Sequence, residues 1–162
     1  MDFRELSEEL HQLVTDAKVP SLAIAAMQQG EIVFAEGFGV TSLGPGGIPV
    51  TPETLFRIGS TTKPMVGAAI MKLVEQGLLD VDVPITRYVP WVRFANGESA
   101  HAVTLRILLS HTSGLPTEYR ANGSSDPAML EDSLRRELPN YSLFTPPGRL
   151  WSYSNPGVRL AA

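Results

Sequence analysis

The hydrophobic and polar positions near the start of the chain predict one helix followed by two strands. Between Asp2 and Ala17, apolar residues recur every three or four positions, which is the spacing of an amphipathic helix. A Val-Pro pair ends this pattern, because proline cannot continue a helix. Two apolar runs, Ser21 to Met27 and Glu31 to Phe38, flank a Gln-Gln-Gly turn. We therefore expect a β-hairpin preceded by a helix.

The remainder of the chain predicts mostly helices joined by loops. Gly44 to Thr51 is rich in glycine and proline and is expected to be a flexible connection, and the polar segment Tyr119 to Asp126 is expected to be mobile. Helical patterns are found in Val66 to Leu79, which ends near Gly77; in one turn within Val81 to Pro90; in Ala102 to Leu109, capped by Thr104; in Pro127 to Leu138; and from Pro156 onwards. A small sheet followed by helices indicates the α+β class.

One pair of side chains suggests nucleophilic catalysis. Ser60 and Lys63 lie three residues apart at the predicted start of a helix, so they project on the same side. A serine hydroxyl becomes a nucleophile when a neighbour takes its proton, and an amine with a depressed pKa can do so. Burial lowers the pKa of a lysine, and we expect the apolar helix Val66 to Leu79 to provide such surroundings for Lys63. The alternative is an N-cap serine beside a solvated lysine, which a four-residue match cannot exclude.

Composition removes several classes of function. The chain has no cysteine, and its three histidines lack metal-ligand spacing, so we expect no metal and no cofactor. The net charge of −4 leaves no basic patch for nucleic acid. The N-terminus lacks the apolar run of a signal peptide, and Lys72 and Glu75 interrupt the longest apolar stretch. We expect no membrane span and a cytoplasmic location, with a processed periplasmic or secreted form as the alternative.

Four segments, in chain order, resemble a known family. They are Phe56-Arg-Ile-Gly-Ser60-Thr-Thr-Lys63, Leu73-Val-Glu-Gln-Gly77-Leu-Leu-Asp80, Leu105-Arg-Ile-Leu-Leu-Ser-His-Thr-Ser-Gly-Leu115 and Pro147-Gly-x-x-x-x-Tyr153-Ser-Asn155. Together they resemble the serine β-lactamase and penicillin-binding-protein superfamily, in its class C-like branch. That branch includes D-alanyl-D-alanine carboxypeptidases, D-aminopeptidases and carboxylesterases. Ser-x-x-Lys and Tyr-x-Asn match the first two of the family's three motifs.

The resemblance implies a role for each matching position. Ser60 would be the acylated nucleophile and Lys63 its proton partner. Tyr153 would share the work of general base and later protonate the leaving group, and Asn155 would hydrogen-bond Lys63 or the substrate. Residue types do not tell whether Lys63 or Tyr153 is the base, because the two titrations would be coupled.

The resemblance also implies how much of a domain is present. Residues 1–162 would form the N-terminal portion of one β-lactamase/transpeptidase-like domain, namely the helix, the hairpin and most of the helical region. The third motif and the remaining sheet, which in the family supply a second oxyanion-hole N–H, would lie beyond this portion. We therefore expect a truncated chain, a proteolytic half or one part of a nicked enzyme, with a complementary C-terminal chain as its partner.

These features lead to one expected function and one alternative. The expected function is a serine hydrolase acting through a Ser60 acyl-enzyme on a small ester, amide or β-lactam, of the esterase, D-amino-acid peptidase or β-lactamase type. The alternative is a non-catalytic protein of the same fold that binds or acts as a scaffold. The presence of Ser60, Lys63 and Tyr153 together favours catalysis.

The sequence leaves open the role of one histidine and the positions of two tryptophans. His111 could form a Ser–His pair, but a histidine in a Ser-His-Thr-Ser-Gly turn more often satisfies backbone groups. Trp91 and Trp151 could line a substrate cleft or fill the core, and the sequence favours neither position.

Overall fold

The computed structural model describes residues 3–97, 100–117 and 127–162 and divides the chain into two compact units, Met1–Arg57 and Ile58–Ala162. The segment Tyr119 to Asp126, predicted to be mobile, lies outside the described residues. Within those residues, no helix combines the length and the apolar character needed to cross a membrane.

The first unit is a helix and a β-hairpin, as predicted. Helix α1 covers Phe3–Asp16, and strands β1 (Ser21–Gln28) and β2 (Glu31–Gly39) pair antiparallel. The turn between the strands has positive φ angles at Gln29 (52°) and Gly30 (86°), which suits the twist of a tight hairpin. The Phe3 ring of α1 stacks on Phe34 of β2, with 5.3 Å between ring centroids. This aromatic contact secures the helix to one face of the hairpin.

The segment after the hairpin differs from its predicted flexibility. Val40 forms a β-bridge with Pro49, and the Thr41 amide donates to the Ile48 carbonyl at 2.9 Å. A Cβ atom on Gly37 would lie 2.4 Å from the Val50 carbonyl oxygen. The glycine therefore permits the returning chain to approach the hairpin closely. Backbone hydrogen bonds, which the Gly-Pro composition does not reveal, order this connection.

The second unit contains the other helices of the described residues and a hydrophobic core. The helices are α2 (Thr62–Glu75), α3 (Leu105–Leu109), α4 (Pro127–Glu137) and α5 (Asn155–Ala161), with 3₁₀ turns at Gly59–Thr61, Ile85–Arg87, Ala95–Gly97, Ala100–Ala102 and Leu138–Asn140. Six core side chains are at most 1% exposed: Ile85, Val92, Val103, Leu108, Leu115 and Leu138. The hairpin with these helices confirms the α+β prediction.

The helix ends in this unit follow the sequence closely. Thr104 caps α3, because its Oγ1 accepts the Ile107 N–H at 3.3 Å, and Gly77 takes a φ of 71° just after α2. Helix α2 differs from expectation in its packing. Its Ile70 is buried, but Met65 and Met71 are exposed, so α2 does not provide the enclosed apolar surroundings expected for Lys63.

Candidate active site

Ser60 lies one turn before α2, and its hydroxyl faces Lys63. Ser60 belongs to the 3₁₀ turn Gly59–Thr61, whereas the sequence predicted that it would open the α-helix itself. The Lys63 Nζ donates a hydrogen bond to Ser60 Oγ at 3.0 Å. The N-cap position of α2 is held by Thr61, which makes no side-chain cap bond. The arrangement therefore differs from an N-cap serine beside a solvated lysine.

Tyr153 approaches the same hydroxyl from a distant part of the sequence. Its phenol oxygen lies 2.6 Å from Ser60 Oγ, and either oxygen can be the donor. The Lys63 Nζ lies 4.8 Å from the centroid of the Tyr153 ring. Hydrogen bonding to Lys63, and then to Ser60, holds the pKa of the Tyr153 phenol below its ordinary value. A larger fraction of this phenol is therefore ionised at a given pH than in a free tyrosine, and the phenolate is the form that can accept a proton.

Asn155 completes the group by holding the lysine. Its Oδ1 accepts a hydrogen bond from Lys63 Nζ at 2.9 Å, and its Nδ2 donates to the Thr117 carbonyl at 3.3 Å. Asn155 opens α5, whose N-cap is Ser154. The Ser154 Oγ accepts the Gly157 N–H at 3.0 Å and donates to the Pro116 carbonyl at 3.1 Å. A buried cap thus fixes the residue that orients Lys63.

The segment around Tyr153 is attached to the loop that follows α3. The Ser152 amide donates to the His111 carbonyl at 2.8 Å, and the Thr117 hydroxyl donates to the Tyr153 carbonyl at 2.7 Å. The Ser154 amide donates to Nδ1 of His111 at 3.1 Å. The sequence pointed to His111 and Tyr153 separately and did not predict these attachments. The one available signal was the preference of a turn histidine for backbone partners.

The two tryptophans differ in their exposure. Trp151 is 68% exposed, whereas Trp91 packs partly buried against the core, with the Arg135 guanidinium carbon 4.3 Å from the centroid of its ring.

His111 does not pair directly with Ser60. No hydrogen bond within residues 3–97, 100–117 and 127–162 joins the two residues. The pKa of His111 is lowered by burial first and by the positive charge of Lys63 second.

A cavity of about 390 Å³ opens directly beside these groups. Ser60, Lys63 and Asn155 line it on one side, and Val66 and Val158 give it apolar walls. Arg159 lies at its edge and forms an ion pair of 3.1 Å with Glu137. A cluster of three or more metal-binding side chains is absent from the part of the chain that the structure describes. The site combines a hydroxyl, two proton partners and a small open cleft, which suits nucleophilic acyl transfer.

Comparison with known proteins gives consistent matches. A family model described as Beta-lactamase matches residues 6–162. The esterase EstB of Burkholderia gladioli is 38% identical, with 84% of this chain and 38% of EstB covered. The octameric penicillin-binding protein homologue from Pyrococcus abyssi superposes with a TM-score of 0.78 at 30% identity, covering 99% of this chain and 38% of that one.

A crystal structure of a class C beta lactamase also matches, with a TM-score of 0.74 at 25% identity, covering 94% of this chain and 41% of that one. The present chain therefore spans about two fifths of the length of these relatives. The superpositions establish the β-lactamase/transpeptidase-like fold, in the portion that corresponds to the N-terminal part of the domain.

Proposed function

The chain belongs to the beta-lactamase family, and from that premise we propose that it is a serine hydrolase whose Ser60 forms a covalent ester with the acyl group of its substrate. One observation carries the proposal. Ser60 Oγ lies 3.0 Å from the Lys63 amine and 2.6 Å from the Tyr153 phenol, so two groups able to take its proton contact the same atom. A hydroxyl so placed can be deprotonated as it attacks a carbonyl carbon.

The proposed reaction has two balanced steps. In the first, the Ser60 proton passes to Lys63 or Tyr153, Oγ bonds to the carbonyl carbon, and the alcohol or amine leaves with a proton returned by the same pair. In the second, water loses a proton to the pair, its oxygen attacks the Ser60 ester, and Oγ recovers a proton as the acid departs. The short Ser60–Tyr153 contact and the lowered pKa of Tyr153 support a phenolate that shares the base role.

The oxyanion formed in each step needs hydrogen-bond donors. The backbone N–H of Ser60, in the turn that leads into α2, is the donor we assign within this chain. The second donor is assigned to a complementary C-terminal chain, in keeping with the two-fifths span of the relatives that this chain matches. Loss of one oxyanion donor typically costs about 10²–10³ in rate, so activity of residues 1–162 would depend strongly on that partner.

The substrate class is a small ester or amide, including β-lactams. The relatives bear the names of an esterase, a penicillin-binding protein homologue and a class C beta lactamase. The similarity to the esterase and the apolar walls of the cleft, Val66 and Val158, favour an ester with a small apolar acyl group.

The test is mass spectrometry after exposure to a fluorophosphonate, with a penicillin in a parallel sample. We expect the label on the peptide that contains Ser60, and we expect Ser60→Ala to lose the label while keeping the wild-type circular dichroism spectrum. Label on Ser113 or Ser154, which are at most 1% exposed, would contradict the assignment. A folded chain that neither reagent labels, even with the complementary chain, would support the non-catalytic alternative.

A further inference from the structure

His111 has an unusual backbone conformation for a residue with a side chain. Its φ of 59° lies in the left-handed region, which few residues other than glycine adopt, although Asn, Asp and His adopt it more often than the rest. Such residues persist where the surrounding structure holds them, and they occur often at functional sites. The conformation turns the chain between α3 and Leu115, so that the carbonyl and the ring of one residue both reach the Tyr153 segment.

His111 holds that segment on both sides of Tyr153. Its carbonyl oxygen accepts the Ser152 N–H at 2.8 Å, and its Nδ1 accepts the Ser154 N–H at 3.1 Å. Its ring lies against the Tyr153 ring, with 4.7 Å between centroids and 30° between planes. Three contacts from one residue therefore restrict where the Tyr153 phenol can be, and that phenol lies 2.6 Å from Ser60 Oγ.

The contact with Ser154 requires a neutral imidazole. Because Nδ1 accepts a backbone N–H, the ring proton must be on Nε2. A second proton on Nδ1 would face the Ser154 N–H directly and remove the hydrogen bond. Among the described residues, Lys63 of α2 acts on the ring through its charge, and the titratable phenol whose ring lies against it is that of Tyr153. Burial, and after it the Lys63 charge, hold the pKa of His111 below its ordinary value, whereas the backbone hydrogen bond with Ser154 acts in the opposite direction.

We propose that neutral His111 is a positioning residue, which holds the Tyr153 phenol against Ser60 and releases it when the imidazole is protonated. The proposal rests on the function proposed for Ser60. It adds a second acid-sensitive group to the site besides the base that takes the Ser60 proton. Reactivity of Ser60 should therefore fall in acid for two reasons, of which one belongs to His111.

The first test needs no reaction. The full chain is labelled with ¹⁵N-histidine and ¹³Cζ-tyrosine, and its spectra are recorded from about pH 8 to pH 5, with signals assigned through His111→Asn and Tyr153→Phe. We expect Nδ1 of His111 to be unprotonated at neutral pH, and its midpoint to lie below that of the same residue in urea. The Tyr153 signal should change at the His111 midpoint. A proton on Nδ1 at neutral pH, or a Tyr153 signal that ignores the His111 titration, would overturn the proposal.

The second test follows Ser60 labelling by a fluorophosphonate across the same pH range. Protonation of the base alone gives a logarithmic slope of about one on the acid side. We expect the wild-type slope to steepen towards about two below the His111 midpoint. His111→Asn should keep a slope of about one, because asparagine tolerates positive φ and can accept the Ser154 N–H but does not titrate. His111→Gly, which keeps the backbone conformation without the ring, should also show a slope of about one and should react more slowly.

Equal slopes in wild type and His111→Asn, with both folded by circular dichroism throughout, would overturn the proposal. If Ser60 takes no label at any pH even with the complementary chain present, the proposed hydrolase function fails. The spectroscopic coupling of His111 and Tyr153 then decides by itself whether His111 positions the phenol.

Discussion

In the unit Ile58–Ala162 apolar side chains such as Val92, Val103 and Leu108 have no exposed surface, whereas in the unit Met1–Arg57 large ones such as Ile32 and Leu43 are 65% and 81% exposed. Among the described residues of the first unit, the buried hydrophobic side chains are Val14, Phe38 and Val50. Hydrogen bonds order the hairpin of that unit, but much of its apolar surface is exposed.

All four candidate residues belong to the better buried unit, and its buried groups determine their positions. Asn155 opens α5, whose Val158 and Leu160 are buried, and Tyr153 precedes the fully buried Ser154. Lys63 lies in the first turn of α2, one turn after Ser60. A site needs side chains held within a few tenths of an ångström, and rigid elements provide this better than exposed loops. The four candidate side chains therefore lie in the unit whose buried groups can hold them more rigidly.

The difference in burial predicts that the two units differ in how much one apolar side chain contributes to stability. Leu108→Ala should lower the free energy of unfolding by about 2–5 kcal/mol, because it removes a fully buried side chain and leaves a cavity. The matched change in the first unit, Ile32→Ala, should cost less than about 1 kcal/mol because that side chain is mostly exposed. Urea unfolding followed by circular dichroism measures both. Equal losses would mean that the difference in exposure does not reflect a difference in stability.

The Ser154 cap of α5 should contribute less to stability but should also affect Ser60. Ser154→Ala removes an acceptor for the Gly157 N–H and a donor to the Pro116 carbonyl in a fully buried place. We expect a loss of about 1–3 kcal/mol and slower Ser60 labelling, since unsatisfied buried groups are costly and Tyr153 would shift. Ser42→Ala is the control, because Ser42 Oγ accepts the Gly44 N–H at an exposed position. A Ser154→Ala protein as stable and as reactive as the Ser42→Ala protein would contradict the role of this cap.

The sequence predicted best where a local pattern determines the structure. The hairpin strands were placed to within one residue, because apolar runs around a Gln-Gln-Gly turn specify both strands and turn. Thr104 identified the start of α3 through its side chain alone. The family resemblance was also confirmed, because ordered motifs do not depend on knowing how the chain packs.

The sequence predicted less well where distant segments meet. The attachment of Ser152 and Ser154 to His111 joins residues about forty positions apart, and no periodic pattern encodes it. The 3₁₀ turn at Ser60 stands where the sequence predicted a helix start, because 3₁₀ turns are frequent at the N-termini of α-helices and the sequence pattern does not separate the two. The roles of Ser60, Lys63, Tyr153 and Asn155 stay predictions, although the structure brings their side chains together.

In the proposed function, Lys63 and Tyr153 act as one unit on Ser60. The most direct measurement is the rate of Ser60 labelling in wild type, Lys63→Ala, Tyr153→Phe and the double variant, at one pH and with the fold checked by circular dichroism. Each single change should lower the rate by about 10²–10⁴, as expected for a positioned proton-transfer group. The double variant should lose little more than the worse single one, because groups that act together are not additive. Losses that multiply in full would show that Lys63 and Tyr153 work in separate steps and would contradict the account.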